Sequence, residues 1–360
     1  MSYQVGNLPF ANERDLETIG VLKKAASAHR YLAELKGVAA TIPNRIILIN
    51  MLTLQEAKDS SAVENIITTH DELFKAELFS SASLNPAAKE VQDYAAALKL
   101  GFEKVDTHKL LRLSDIEEIQ SHLEKNKAGL RKLPGTELKN QHTGDSVYVP
   151  PQNASEISSL MNNLVAYIND DSMSDLDPLV KMAIIHHQFE SIHPFYDGNG
   201  RAGRIINILY LVMNGLLDLP VLYLSRYVIR DKAAYYKKLQ DVRDTNQWEP
   251  WLLYILEGIE QTSIKTIKLI KDIRELMMSY KHDIRKQLPK IYSQDLINNL
   301  FRHPYTKIAF MEKDLRVSRI TATKYLGQLT EKGFLQKEKI GKTNYYINAP
   351  LCELFIENSA

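Results

Sequence analysis

Apolar positions recur with a helical period along most of the chain. Between 15 and 35 they fall at Ile19, Leu22, Ala25, Ala26 and Leu32, which predicts a packing helix. After Pro43 and Asn44, residues 45–57 form an apolar run that could be a core helix or a buried strand by pattern; its length favours helix. Similar spacing predicts helices over 86–100 and 114–123, stopped by Gly101 and Gly129, and amphipathic helices over 153–168 and 178–189. Residues 231–259 carry Tyr235, Tyr236, Leu239, Val242, Trp248 and Trp251 at core spacing, and 260–288 reads as a long lysine-rich helix stopped by Pro289.

Two stretches break this rhythm. Between 130 and 151, Pro134-Gly135 and Thr143-Gly144-Asp145 flank an alternating Ser-Val-Tyr-Val, and Pro150-Pro151 closes a short hairpin, with His142 a surface turn residue. In the tail, short helices over 295–301, 308–315 and 318–332 precede two strand-like runs around Gly341, the order of a winged helix-turn-helix. Gly341-Lys342-Thr343 mimics the end of a phosphate-binding loop, but the loop's first glycine would fall at Gln336, so it belongs to the wing. The expected fold class is mainly α with a small β-hairpin and a C-terminal winged helix.

Composition narrows the picture modestly. At about 150 residues per domain, 360 residues suggest two or three domains. With 25% charged and 44% hydrophobic residues the chain is globular, and a net charge of +1 gives no overall field for nucleic acid or membrane. The single cysteine, Cys352, excludes an internal disulfide and fits a reducing compartment. No basic stub followed by an apolar run opens the sequence, and the apolar stretch 205–224 is interrupted by Asn207, Asn214, Asp218 and Pro220. The expectation is a soluble cytoplasmic protein without a membrane partner.

Residues 191–204 concentrate the chemistry: Ser-Ile-His-Pro-Phe-Tyr-Asp-Gly-Asn-Gly-Arg-Ala-Gly-Arg. Gly198 and Gly200 let a phosphate approach main-chain N–H groups, and a helix starting near Asn199 would turn its positive end toward that loop. Arg201 and Arg204, three residues apart, share a helix face and could reach one polyphosphate. Asp197 can hold magnesium through oxygen, and His193 can take a proton near neutral pH. Singly, each fits a capped helix with ion pairs; together they describe a nucleotide clamp beside a general base. His186, His187, Glu190 and His193 raise the question of a metal site, but no ligand spacing supports one, and helix packing explains the first two better. Upstream, residues 60–65 (Ser-Ser-Ala-Val-Glu-Asn) read as a polar loop opening a helix, capped by Ser60 or Ser61 with Glu64 near its positive first turn.

Residues 193–204 resemble the Fic family signature H-P-F-x-D-G-N-G-R-x-x-R at every fixed position, and the resemblance spans roughly 45–260. It implies a Fic-type helical core that transfers AMP from ATP, with Mg2+, to a Ser, Thr or Tyr hydroxyl of a target protein, the chain itself being one candidate target. His193 would be the base and Asp197 the metal ligand. Gly198, Asn199, Gly200, Arg201, Ala202, Gly203 and Arg204 would surround ATP, with Asn199 and the loop amides on the α-phosphate and both arginines on the departing phosphates. Tyr235 or Tyr236 would stack on the adenine. Residues 60–65 resemble the family's inhibitory motif [S/T]-x-x-x-E-[G/N], with Glu64 competing for Arg204, and the hairpin resembles the flap that clamps the target. A kinase branch has lysine where this chain has Gly200, which argues against phosphate transfer.

The corresponding division is an N-terminal region with the inhibitory helix over 1–110, a catalytic core over 111–260, a linker helix over 261–290 and a winged-helix domain over 291–360. A homodimer is one candidate assembly and DNA one candidate partner of the tail. Arg319, Thr321, Thr323 and Lys324 could approach a major groove and Lys339 and Lys342 phosphates, although Glu312, Asp314, Glu331 and Glu338 dilute the field. The alternatives are a DNA-binding regulator with a nucleotide-sensing core, or transfer of another nucleotide.

Overall fold

The computed structural model describes residues 3–76, 85–139, 143–340 and 343–357. His142, Gly341 and Lys342, three residues of the sequence reading, lie outside them. After a 3-10 turn at Glu13–Leu16, Thr18 accepts the Val21 N–H and starts α1, Ile19–Ala39, so the helix begins four residues later than its apolar spacing suggested. Residues 45–57 are helical, as their length implied, within α2, Arg45–Val63. α2 swallows the serines at 60 and 61, which therefore close a helix where an opening had been expected. α3 covers His70–Ala76 and α4 Pro86–His108.

α4 runs straight through Gly101. A Cβ there would lie 2.7 Å from Leu209 Cδ1 and 3.0 Å from Ile119 Cδ1, so this glycine admits neighbouring helices and stops nothing. The stop is Lys109, which takes the left-handed conformation at φ 54°. α5, Leu113–Glu124, likewise ends at Lys125, φ 52°, before Gly129 is reached. The hairpin forms from β1, Leu138–Lys139, and β2, Ser146–Tyr148, paired antiparallel.

α6, Ala154–Asn169, is capped by Asn153, and α7, Pro178–Ile192, by Asp177. α7 had been read as amphipathic, yet every residue from Leu179 to Ile192 is buried. A helix enclosed on all sides is a core element, and some of its polar atoms find partners inside: His186 Nε2 meets the Tyr235 hydroxyl at 2.8 Å, and its ring stacks on Trp251. α8, Asn199–Met213, packs on α7, α4 and α5. α9, Ser225–Arg230, and α10, Lys232–Thr245, lead to α11, Glu249–Gln287, whose 39 residues span roughly 58 Å at 1.5 Å per residue. α11 begins before 260 and continues through it without a break. α1 lies along it, joined by Thr18 to Glu249 at 2.7 Å, Lys24 to Glu257 and Glu260, and Lys271 to Glu34.

The tail contains α12, Gln294–Arg302; β3, Tyr305–Thr306; α13, Ile308–Leu315; α14, Arg319–Glu331; β4, Gln336–Ile340; β5, Thr343–Ile347; and α15, Ala349–Glu357. Its antiparallel sheet has the order β3-β5-β4. The strand β3 and the helices α3, α9 and α15 were not anticipated; β3 has two residues, α9 six and α3 seven, too few to carry a period. They matter to the packing: Phe74 of α3 lies against Tyr305 and Phe355, and the Tyr305 hydroxyl donates to Asp71 at 2.6 Å. The tail thus holds the short helix that follows Glu64.

Candidate active site

The turn between α7 and α8 is built from main-chain constraints. His193 closes α7 in the left-handed conformation, φ 49° and ψ 58°, donating its N–H to Phe189 O at 2.9 Å. A histidine pays a strain there that glycine would not, and the turn persists because other groups lock it. The Phe195 N–H donates to Asn199 Oδ1 and Asn199 Nδ2 to Phe195 O, both at 2.8 Å. Both ends of the Asn199 amide are therefore engaged, and toward a phosphate this residue offers its backbone N–H. Gly198, φ 77°, is the N-cap of α8 and supplies no side-chain cap. Its own N–H goes to Asp197 Oδ1 at 2.7 Å. The first-turn N–H groups of α8, at Asn199, Gly200 and Arg201, lack intrahelical acceptors by the geometry of any helix start, and the N-cap Gly198 has no side chain to cap them.

Both arginines are engaged by carboxylates. Arg201 contacts Glu90 at 3.1 Å and Glu124 at 2.6 Å. Arg204 is buried, donating Nε to Ser60 Oγ at 2.7 Å and Nη2 to Ser60 O at 3.0 Å and Glu64 Oε1 at 2.8 Å. Ser60 therefore shares the guanidinium with Glu64, whose Oε1 accepts from Nη2. Glu64 itself is the C-cap of α2, at the negative end of a helix, opposite to the positive first turn expected for it. Helix electrostatics disfavour a carboxylate at that point; Arg204 is what holds it. A Cβ on Gly200 would lie 2.5 Å from Glu64 Oε1 and 3.0 Å from Arg204 Nη1, so the space that this glycine vacates is filled by the Glu64 carboxylate.

The titrations follow from burial and charge. Burial alone would raise the Glu64 carboxyl, yet the charge and hydrogen bond of Arg204, with Arg201 and Lys232, hold it below its usual range. Burial, then Arg131 and Arg243, push the His193 imidazole down to about 4, while Glu64 opposes them. At neutral pH the ring is uncharged and open to a proton. Glu190, one turn before His193, is raised to about 7 by burial, against the pull of Arg204. Its Oε1 sits 2.9 Å from where a Cβ on Gly203 would be, so Gly203 makes room for a buried carboxyl, and Ala202 beside it is fully buried.

Of the tyrosine pair, Tyr235 is a core residue bonded to His186, and a base could not stack on it without opening the core. Tyr236 is 41% exposed and presents the ring that remains. Asp197 is exposed, with one oxygen on Gly198, and no group of three or more acidic, His or Cys side chains placed to hold a metal occurs among the described residues. One all-oxygen carboxylate suits magnesium, which commonly takes one or two protein ligands and completes its shell with phosphate and water. Arg131, Arg243 and Glu124 escape a reading of the sequence, because their partners His193, Ser191 and Arg201 lie 52 to 77 residues away and leave no local signal.

Comparison with known proteins decides the family. The Fic/DOC family profile matches residues 110–211, the Fic/DOC family N-terminal profile 22–103, and the protein adenylyltransferase SoFic-like C-terminal domain profile 276–351. The chain belongs to the Fic/DOC family. Relatives include protein adenylyltransferase fic-1 of Caenorhabditis elegans, 28% identical over 110 residues covering 31% of this chain and 20% of that protein. Protein adenylyltransferase Fic of Aedes aegypti is 26% identical over 174 residues, 48% and 33% of the two. This Fic chain thus spans a third or less of these relatives. A Fic family protein from Desulfovibrio desulfuricans superposes with TM-score 0.57 at 18% identity, covering 92% of this chain and 96% of that one. Fic-1 of C. elegans superposes with TM-score 0.55 at 22% identity over 70% and 73%. Likeness at that identity shows the fold, mainly helical with small antiparallel sheets. No helix among the described residues is long and apolar enough to cross a membrane.

Proposed function

We propose that this Fic chain transfers AMP from ATP to a protein hydroxyl and that Glu64 holds the reaction in check. The observation that carries the reading is the carboxylate in the space above Gly200, paired with Arg204 before the uncapped start of α8. An anion already lies where a helix N-terminus and a buried arginine would receive a phosphate. The names of the relatives support the reaction class.

In the step itself, the target oxygen forms a bond to the α-phosphorus, the bond from that phosphorus to the oxygen bridging to the β-phosphate breaks, and pyrophosphate leaves. The hydroxyl proton passes to the neutral ring of His193, whose affinity for it rises as the phosphate charge comes near. Asp197 would hold magnesium, which when bound neutralises charge on the phosphates. The α8 amides and Arg204 receive phosphate oxygens, a task of placement and charge stabilisation. Tyr236 offers a face to the base. The narrow hairpin, with Val147 and Val149 exposed beside its few paired residues, supplies an edge for a target strand carrying Ser, Thr or Tyr.

Glu64→Gly tests the reading. Ser60 still holds Arg204 in that variant, so the anion space opens without loosening the arginine. With α-labelled ATP and Mg2+, incorporation into the variant or added protein should exceed wild type by tenfold or more, about 1.4 kcal/mol of competition removed. Equal incorporation by the folded variant leaves Glu64 a structural residue, and parallel reactions with GTP, CTP and UTP decide the base. The domain division goes with this reading, the N-terminal region over 1–110 ending in the scaffold of the core. In the tail we read a winged helix whose α14 could face duplex DNA: Ile320 is 83% exposed, with Arg319, Thr323 and Lys324 exposed around it.

A further inference from the structure

Arg131 is the one charged group among the largest fully buried side chains, and it meets no carboxylate among the described residues. A buried cation without a counter-charge is tolerated only where hydrogen bonds compensate it. Here they all run to one place. Nε donates to His193 O at 2.7 Å, Nη2 to Pro151 O at 2.9 Å and to Ile192 O at 3.4 Å, and the backbone N–H to Pro194 O at 2.8 Å. Arg131 opens the segment that carries the hairpin, and Pro151 closes it. Its guanidinium and its backbone N–H together therefore join both feet of the hairpin to three successive residues of the catalytic turn, the guanidinium to Ile192 and His193 and the main chain to Pro194. Neighbouring contacts follow the same line: the Lys132 N–H and, at 3.3 Å, the Leu133 N–H donate to the Tyr196 hydroxyl, and the Tyr148 hydroxyl donates to Ser191 O at 2.8 Å.

We propose that Arg131 is the positioning residue of this site, a clamp that fixes the left-handed turn at His193 and the hairpin against one another. Carbonyls drawn toward the guanidinium keep His193 in a conformation it would otherwise leave, and the same bonds set the height of the hairpin edge over the base. Its consequence for catalysis rests on the adenylyl-transfer reading, whereas the clamp itself does not. The charged groups facing the imidazole are Arg131, Arg243 of α10 and Glu64 at the end of α2, and Glu190 on its own helix contributes a backbone hydrogen bond. Burial does most to keep the ring neutral, and Arg131 heads the two cations that add to it.

The test separates clamp from reaction. The His193 ring, labelled at Cε1 and assigned by His193→Ala, is titrated by NMR in wild type, Arg131→Gln and Arg131→Lys. Wild type should titrate near 4. Removing the charge in Arg131→Gln should raise the midpoint by about one unit, and Arg131→Lys, which keeps the charge but lacks the fork, should leave it in place. Placed in the Glu64→Gly background, both should lose about a hundredfold in kcat with KM for ATP unchanged. A folded Arg131→Gln with an unmoved midpoint and full kcat overturns the proposal. A parent that incorporates no AMP sinks the transfer reading, while the response of the Arg131 Nε–H resonance to the His193 titration still decides the clamp. Should Arg131→Gln fail to fold, the wild-type Arg131 Nε–H decides: a resolved resonance that shifts as His193 titrates supports the clamp, and one insensitive to that titration refutes it.

Discussion

The molecule contains two helix–turn–helix units that use the same backbone device for opposite ends. α7 turns into α8 through His193, left-handed at φ 49°, and α13 turns into α14 through Arg316, left-handed at φ 55°. In the tail, Ser318 then caps α14 by accepting the Thr321 N–H, α13 buries only Met311, and α14 buries Ala322, Leu326 and Leu329. That unit satisfies its own backbone and keeps a wet face. In the core, Gly198 caps nothing, α7 is buried throughout, and the turn is held by distant side chains such as Arg131. A helix start left uncapped inside a fully packed pair is costly unless something else occupies it. Chemistry is to be sought at the unit that cannot satisfy itself.

The sharpest way to break this contrast is His193→Ala. In the Glu64→Gly background AMP incorporation should fall a hundredfold to ten-thousandfold, with ATP affinity by calorimetry nearly unchanged. Transfer at the parent rate would mean that the open turn is not where the proton goes.

Acid is a second way. His186 and His70 are pushed down to about 3 by burial and His193 to about 4, and His187 is lowered too; in the tail, burial takes His303 to about 4 against the pull of Asp314. Unfolded, each takes a proton below about 6.5. Between about 4 and 6.5 the unfolded chain therefore binds more protons, and stability should rise with pH by up to about 1.4 kcal/mol per unit for each such histidine. Glu56, raised to about 8, and Glu190, raised to about 7, act in the opposite direction above 4.5, but the histidines outnumber them. Urea midpoints should climb from pH 5 to 6.5; a flat profile would mean that the core unit accepts charge more easily than its packing implies.

The smallest effect belongs to the exposed tail helix. Arg319→Ala should change stability by less than about 0.5 kcal/mol, while lowering duplex-DNA affinity about tenfold and flattening its salt dependence. DNA binding absent from wild type at low salt would remove the DNA reading and leave α14 a docking or structural face.

Much of the core unit was legible because its chemistry is contiguous: His193, Asp197, the glycines and both arginines lie within twelve residues, and helix spacing announced α8 and its start. Legibility failed where tertiary packing overrode local signals. Gly101 looked like a stop and is a close approach; residues 60–65 looked like a helix opening and are a helix end, because the apolar pattern of α2 fades before its hydrogen bonding does. Tyr235 and Tyr236 are neighbours in sequence, and only burial tells them apart. Glu64 meeting Arg204 across 140 positions was visible through family resemblance alone.

The pairing of α1 with α11 has a consequence in time. Thr18, Lys24 and Glu34 find their partners 231 to 237 residues later in the chain. At about 5–20 residues per second of synthesis, that separation is roughly 12 to 47 seconds. Through that interval Ala25, Ala28, Leu32 and Leu35, buried in the finished protein, have no long helix to lie against. The first long helix of the chain is among the last to be covered, so early chain release or a slow ribosome leaves exposed an apolar stripe whose partner is made far later.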